Sequence, residues 1–236
     1  MSAAPAREGS AIEDEVWPAF TGDPARMDVL AAGLGEGVPL GTTRDGVSST
    51  LTLLRPAPVR VAVLGQAWLA SLLALRAAVL GAAVVVVTER PAPWHVLVRA
   101  AGGSTPFATV VPPGPTLDAP APTIATPVLT LHDGGAGAEA ALARAPWQTS
   151  VHLLFRAGGQ PAAVLDAADL VLVPQVPDDE VDAVAEALRL PPSLAAHLPG
   201  LGPAEVLAAT RRRTAVVTVQ ATPTELSILR AGDLTT

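Results

Sequence analysis

Short runs of mostly valine and leucine recur along this chain and constrain its fold more than any other feature. The clearest are 59–64, 84–87 and 170–173. A strand built only of apolar residues is buried on both faces, which is typical of a parallel sheet covered by helices on each side. Segments with helical spacing separate these runs. The alternation predicts an α/β fold, a three-layer sandwich with a mostly parallel, Rossmann-like sheet.

The remaining elements follow from periodicity and turn residues. Helices are predicted over 67–80, 91–101, 138–145, 178–190, 192–199, 203–212 and 223–230, and strands over 107–111, 128–131, 149–155 and 215–219. In the helix 178–190, Asp178 is placed to act as the N-cap. An apolar stripe at helical spacing follows it.

The N-terminal part has a different pattern. Residues 1–11 are mostly small and are expected to form a disordered tail, and helical pieces follow over 13–34. Residues 38–54 predict a hairpin that turns at Arg44-Asp45-Gly46. We therefore expect a single α/β domain after the tail. Its predicted parts are an N-terminal helix and β-hairpin appendage over 12–57 and a Rossmann-like core over 58–236.

The stretch 67–87 is apolar enough to be weighed as a membrane span. Arg76 lies near its middle, which costs about 2.5–3.5 kcal/mol on the insertion scale. Gly81 also divides a half rich in leucine and alanine from a half rich in valine. A buried helix followed by a buried strand is the favoured interpretation. No stable membrane insertion and no secretory signal are expected, so the predicted location is cytoplasmic.

Several residue types are absent, and their absence excludes whole classes of chemistry. The chain has no Cys, Tyr, Asn or Lys, so all 15 basic residues are Arg. Thiol nucleophiles, cysteine metal sites, Schiff-base lysines and the phosphate-binding lysine of a P-loop are excluded. The net charge of −7 disfavours an unassisted nucleic-acid binder. The one basic run, Arg211-Arg212-Arg213, is interpreted as a solvated helix end, with an anionic contact as the alternative.

A few further side chains were weighed as site residues. His132 and Asp133 close a strand at the edge where α/β sheets bind ligands, so they suit a base and a metal or ribose ligand. The favoured interpretation of this segment is an ordinary turn, and the site is the alternative. His95, His152 and His197 do not have the spacing of metal ligands. The acidic residues 178–180 are typical of the start of a helix, where negative charge is favourable. Core or contact roles are expected for the tryptophans, Trp17, Trp68, Trp94 and Trp147. No catalytic residue and no metal site are predicted.

The segment 61–70 runs from a strand into a helix through Gly65. It resembles the dinucleotide-binding fingerprint, in which three glycines allow a tight turn and let backbone amides approach a pyrophosphate. Ala67 and Ala70 stand where that family has its second and third glycines, and Trp68 adds bulk at the turn. The resemblance therefore implies that the architecture is kept and that most of the cofactor grip is lost.

The acid that binds ribose in that family is also displaced. Thr88 stands at its position, and Glu89 follows one place later, which in a strand is the opposite face. If a nucleotide binds, the resemblance implies contacts from Gly65, Gln66, Ala67, Trp68, Glu89 and Asp133.

The hairpin, the proline break and the strand that ends at Gly65 together resemble the approach to the P-loop in FtsK-type translocases. The substrate-secretion ATPases of type VII systems are similar. On the pattern G-x-x-x-x-G-K-[ST], Gly65 matches the first glycine. Ala70, Ser71 and Leu72 then stand where the second glycine, the lysine and the hydroxyl residue belong. The resemblance implies a degenerate, non-hydrolysing member of this group.

The sequence thus favours a non-catalytic scaffold or docking protein on a degenerate nucleotide-binding fold. The resemblance implies that it is an accessory of a bacterial type VII-like secretion or translocation system. No cofactor is predicted. A protein partner is expected, and a homo-oligomer is compatible with the sequence. The predicted contact surface contains Gln66, Trp68, Glu89 and Asp133. The alternative is a nucleotide- or dinucleotide-binding enzyme or sensor that uses the Gly65 turn.

Overall fold

In this computed structural model, the structure describes residues 30–32, 37–65, 67–102, 106–114, 119–134, 143–154 and 162–232. The strands of this part are β1 (Leu30–Ala32), β2 (Val38–Thr43), β3 (Ser48–Leu51), β4 (Val59–Leu64), β5 (Ala83–Thr88), β6 (Ala108–Val111), β7 (Val128–Asp133), β8 (Gln148–Leu154), β9 (Leu170–Val173), β10 (Glu205–Thr210) and β11 (Thr214–Val219). The helices are α1 (Ala67–Val79), α2 (Pro91–Gly102), α3 (Ala162–Ala167), α4 (Val181–Leu188), α5 (Pro192–Ala195) and α6 (Pro223–Ala231).

All eleven of these strands belong to one sheet, in the order β1-β3-β2-β11-β10-β9-β4-β8-β7-β5-β6. The six strands from β9 to β6 are parallel. The other five are joined by antiparallel pairings. The apolar runs that predicted a parallel sheet form β4, β5 and β9 of its parallel half, so the predicted Rossmann-like α/β class is confirmed.

Helices cover both faces of the sheet, as the apolar runs require. Along β4, Val61 and Val63 face the core that contains α1, α2 and α6. Ala62 and Leu64 face the second core, which contains side chains of α3, α4 and α5. Because successive residues of a strand point to opposite faces, one short strand serves both cores. The predicted three-layer arrangement is confirmed.

The N-terminal hairpin forms as predicted and joins the main sheet, because β2 pairs with β11. Its turn contains Gly46 at φ +78°, a left-handed conformation that favours glycine. The predicted helix over 13–34 is wrong at Leu30–Ala32, which forms β1 against β3 because pairing with an edge strand satisfies its backbone. The rest of that segment and the predicted tail lie outside the described residues. The division at residue 57 stays a prediction.

The predicted helix over 203–212 is wrong. Residues 205–210 form β10, which is hydrogen-bonded to β9 on one side and β11 on the other. Pairing on both sides satisfies its backbone groups and outweighs the helix propensity of its alanines and leucine. Arg211-Arg212-Arg213 is consequently the β10–β11 turn and not a helix end. The Thr210 hydroxyl accepts hydrogen bonds from the Arg212 and Arg213 amides at 3.3 and 3.2 Å.

Helix boundaries in the C-terminal half also differ from the prediction. The predicted helix 178–190 is shorter, because α4 begins at Val181 after a turn, so Asp178 is not its cap. The N-cap is Glu180, without a side-chain capping bond. At α6, Thr222 and Glu225 form a capping box. The helix α3 was not predicted, and most of the predicted helix 138–145 lies outside the described residues.

The apolar stretch 67–87 is divided between α1 and β5, as the favoured interpretation expected. The separation falls at Gly81, which has φ +91°. Within the described part of the chain, no helix has both the length and the apolar character needed to cross a membrane.

Candidate functional site

The parallel strands bring several predicted site residues to one edge of the sheet. Because β4, β5, β7 and β8 run in the same direction, their carboxyl ends meet there. Gly65 follows β4, Glu89 follows β5, and Asp133 is the last residue of β7. Ligands bind at this edge in open α/β sheets, so it is the candidate site. Gln66 lies outside the described residues.

Gly65 makes the turn from β4 towards α1 in a left-handed conformation, with φ +71°. Its amide donates a hydrogen bond to the Leu154 carbonyl, at 2.7 Å, at the end of the neighbouring strand β8. A phosphate at this turn would need backbone N–H groups that point at the ligand. The amide of Gly65 is instead directed to β8.

The connection between β4 and α1 is short. Only residues 65 and 66 stand between Leu64, which ends the strand, and Ala67, which begins the helix. The three residues on the P-loop positions, Ala70, Ser71 and Leu72, are therefore inside α1 and have no exposed surface. The Ser71 hydroxyl donates to the Ala67 carbonyl at 2.8 Å. None of the three faces a space in which a phosphate or a metal ion would lie.

Trp68 and Glu89 lie at the same edge as Gly65. Trp68 is half-buried in the first turn of α1 and packs against the core. Glu89 is exposed. Thr88, at the position of the ribose-binding acid, is buried at the end of β5.

Asp133 is held by three donors on β5 and α2. Its carboxylate accepts hydrogen bonds from the Thr88 hydroxyl at 2.8 Å, from the Trp94 indole at 2.7 Å and from the Arg90 guanidinium at 2.7 Å. The Asp133 side chain has no exposed surface. A buried carboxylate is stable only when it is paired and hydrogen-bonded, and these contacts meet that need. They hold the end of β7 to the start of α2, which is a structural role.

His132 stacks on His152, which occupies the same level of the neighbouring strand. The ring centroids are 4.7 Å apart and the planes differ by 9°. Burial lowers the pKa of His132 to about 4. Burial, together with the neighbouring His132, lowers the pKa of His152 to about 3. Both rings are therefore neutral at pH 7.

Sequence reasoning placed Asp133 and His132 at the correct edge but did not find their neighbours. Arg90 was not singled out, and Trp94 was expected only to fill the core or to form a contact. Both are 39 or more residues from Asp133, and only the pairing of Thr88 with Asp133 brings them close. Among the residues that the structure describes, no cluster of three or more metal-ligating side chains is present.

No protein-family model and no curated protein matches the sequence. Solved structures are similar in fold. VirB4 of Thermoanaerobacter pseudethanolicus has a TM-score of 0.59 and 10% identity, over 82% of this chain and 100% of that one. The genome packaging NTPase B204 from Sulfolobus turreted icosahedral virus 2, in complex with sulfate, has a TM-score of 0.45 and 9% identity, over 70% and 98%. At 10% identity, the likeness to VirB4 shows a shared α/β fold and concerns the fold alone.

Proposed function

We propose that this protein is a non-catalytic scaffold or docking protein built on a degenerate nucleotide-binding fold. The observation that carries the proposal is the connection from β4 to α1. It consists of two residues, and the Gly65 amide donates to Leu154. A P-loop binds phosphate with the amides of a longer glycine-rich loop and with a lysine, and this chain has neither at that place.

The Asp133 network supports the same conclusion. A metal ion at the carboxyl edge would need free carboxylate oxygens, because Mg²⁺ is bound by oxygen ligands. Thr88, Arg90 and Trp94 already donate to both oxygens of Asp133. The guanidinium of Arg90 supplies the positive charge that a metal would otherwise supply.

The proposed setting is a bacterial type VII-like secretion or translocation system, where the protein would be an accessory that contacts a protein partner. This part of the proposal rests on the sequence resemblance to FtsK-type and type VII ATPase domains. Trp68 and Glu89 are the accessible side chains of the predicted contact surface. Asp133 is buried, so it contributes to that surface only through the hydrogen bonds that position its neighbours.

Thermal shift with Mg²⁺–ATP, NAD, FAD and S-adenosylmethionine tests the loss of nucleotide binding. A ligand at a hundredfold excess over its dissociation constant stabilises the folded state by about 2.7 kcal/mol. In a chain of this size that raises the melting temperature by about 5–11 °C. We expect no shift with any of the four at 1 mM. A shift that is lost in Gly65→Val and kept in Gly200→Val would establish the nucleotide-binding alternative instead.

The docking role is tested by co-expression with a type VII secretion ATPase from the same genome. We expect a complex that survives size-exclusion chromatography. Trp68→Ala and Glu89→Arg should weaken it at least tenfold, whereas Ile124→Ala, at an exposed site away from the carboxyl edge, should not. Failure to form a complex would refute the type VII assignment.

A further inference from the structure

A groove lies at the end of α1 that is away from the Gly65 turn. It is bounded by the hairpin β2–β3, the C-terminal end of α1 and the first turn of α6, and its volume is about 530 Å³. This is within the size range of pockets that hold a small ligand or a few side chains. Its lining includes Pro39, Ser49, Val79, Leu80, Ala221 and Glu225.

The rim of the groove is apolar and exposed. Val79 is 86% exposed and Leu80 is 49% exposed, and the two are adjacent at the end of α1. They are among the few large apolar residues at the surface of the described part of the chain. Contiguous exposed apolar surface beside a groove is typical of an interaction site.

The charges in the groove neutralise each other. Arg76 forms an ion pair with Glu225 at 2.7 Å. The same guanidinium donates to the backbone carbonyls of Pro39, Leu40 and Gln220. Neither charge is left for an ionic ligand, because each already has its partner. An occupant that matches this groove is therefore apolar and uncharged where it makes contact.

The segment of this chain that precedes β1 fits that description and enters at the right place. Leu30 pairs with Leu51, next to the residues of β3 that line the groove. The run Val16-Trp17-Pro18-Ala19-Phe20 is apolar and has no charged residue. Its last residue is ten positions before Leu30, a distance that an extended chain spans over roughly 33 Å.

We propose that residues 16–20 dock in the groove between the hairpin, α1 and α6, with an aromatic side chain against Val79 and Leu80. The contact lies within one chain and at the end of α1 away from the Gly65 turn. It goes beyond the proposed function, and the outcome of its test does not depend on that function.

The absence of cysteine from the chain allows a direct test by disulfide trapping. A disulfide forms only when the two Cα atoms are within about 7 Å. In the full chain, Phe20→Cys combined with Val79→Cys should form an intramolecular disulfide under mild oxidation. The matched control is Phe20→Cys with Asp182→Cys, since Asp182 is exposed on α4. That helix packs on the second core, across the sheet from α1 and α6. The control should cross-link at least tenfold more slowly.

Each other outcome overturns the proposal. Equal rates in the two pairs would mean an unspecific collision, and a disulfide-linked dimer would mean that a second copy occupies the groove. If neither pair cross-links while both variants melt like the unsubstituted chain, residues 16–20 do not dock there. A double-mutant cycle with Trp17→Ala and Val79→Ala adds a measurement without oxidation. We expect the effect of Trp17→Ala on the unfolding equilibrium constant to fall at least threefold when Val79 is already Ala.

Discussion

At the scale of single residues, Asp133 stands where a ligand-binding residue is expected, at the carboxyl end of a strand. Its hydrogen bonds instead link β7 to β5 and α2. Its place at the end of a strand could be predicted, because the apolar run before it marks that strand. Its three donors could not be predicted. They depend on the register that sets Thr88 beside Asp133, and nothing in the local sequence fixes that register. The candidate site was thus located from sequence, and its chemistry was not.

The stacked histidines are a second feature of this scale. Nε2 of His132 and both ring nitrogens of His152 are buried without a hydrogen-bond partner. Each imidazole is therefore held neutral, because a charged ring at this place would lose its hydration and would lie against the other ring. Sequence reasoning assigned His152 to a strand interior but could not pair it with His132, which is 20 residues away.

This pair predicts a loss of stability in mild acid. The folded pKa values, about 4 and about 3, are below the value of 6.5 of an unperturbed histidine. The unfolded chain therefore binds more protons below pH 6.5, and stability falls as the pH falls. Between pH 6.5 and 5 the free energy of unfolding should decrease by on the order of 3 kcal/mol, measured by urea denaturation.

His152→Leu should remove about half of that decrease, because one of the two depressed groups is gone. It should also leave stability at pH 7 nearly unchanged, since it removes polar atoms that have no partner. His95→Leu, at an exposed position on α2, is the control and should keep the full pH dependence. An unchanged pH dependence in His152→Leu would show that other groups are responsible.

At the scale of elements, predictions succeeded where burial alone decides the structure. The bounds of β4 were predicted to the residue, because its run of valine, alanine and leucine, with Arg60 as the one polar residue, is typical of a strand buried in a parallel sheet. The prediction failed at 205–210, where alanine and leucine favour a helix locally and two neighbouring strands decide otherwise. Information from distant strands is not present in a local pattern.

Arg76 joins three elements. It lies in α1, pairs with Glu225 of α6 and donates to carbonyls of β2. The hydrogen bond from Arg76 lowers the pKa of the Glu225 carboxyl. From the sequence, Arg76 indicated only that the stretch 67–87 does not insert into a membrane. Its joining role could not be predicted, because its partners are up to 149 residues away.

Arg76→Met should be strongly destabilising. It leaves the carboxylate of Glu225 and several carbonyls without their donor, and breaking a buried pair costs about 3–5 kcal/mol. Because Glu225 keeps some exposure, the lower part of that range is expected in urea denaturation. Arg44→Met, which breaks the exposed pair with Glu205, is the matched control and should cost less than about 1 kcal/mol. Equal losses in the two variants would contradict a joining role for Arg76.

At the scale of the whole molecule, the sheet has a parallel half and an antiparallel half that meet at β9 and β10. The parallel half contains the candidate site, and the antiparallel half carries the hairpin to the far edge. The apolar runs made the first half predictable. The second half depends on β10, which the sequence did not reveal, so the attachment of the hairpin to β11 was not foreseen.

Gly41→Ala tests whether the hairpin unfolds together with the core. A Cβ at Gly41 would lie 1.9 Å from the backbone oxygen of Thr218, so β2 and β11 would have to move apart. We expect one cooperative transition, lowered by about 2–3 kcal/mol. Gly200→Ala, where a Cβ would meet its nearest atom at 3.7 Å, should have a small effect. Two separate transitions would instead identify residues 12–57 as an independent appendage.

The short passage from β4 to α1 also limits how this protein can change over generations. Exchanging side chains around Gly65 would not by itself produce a P-loop, because the positions of its last three residues, 70–72, lie inside α1. Acquiring one would require new codons between strand and helix, and with them a displaced helix.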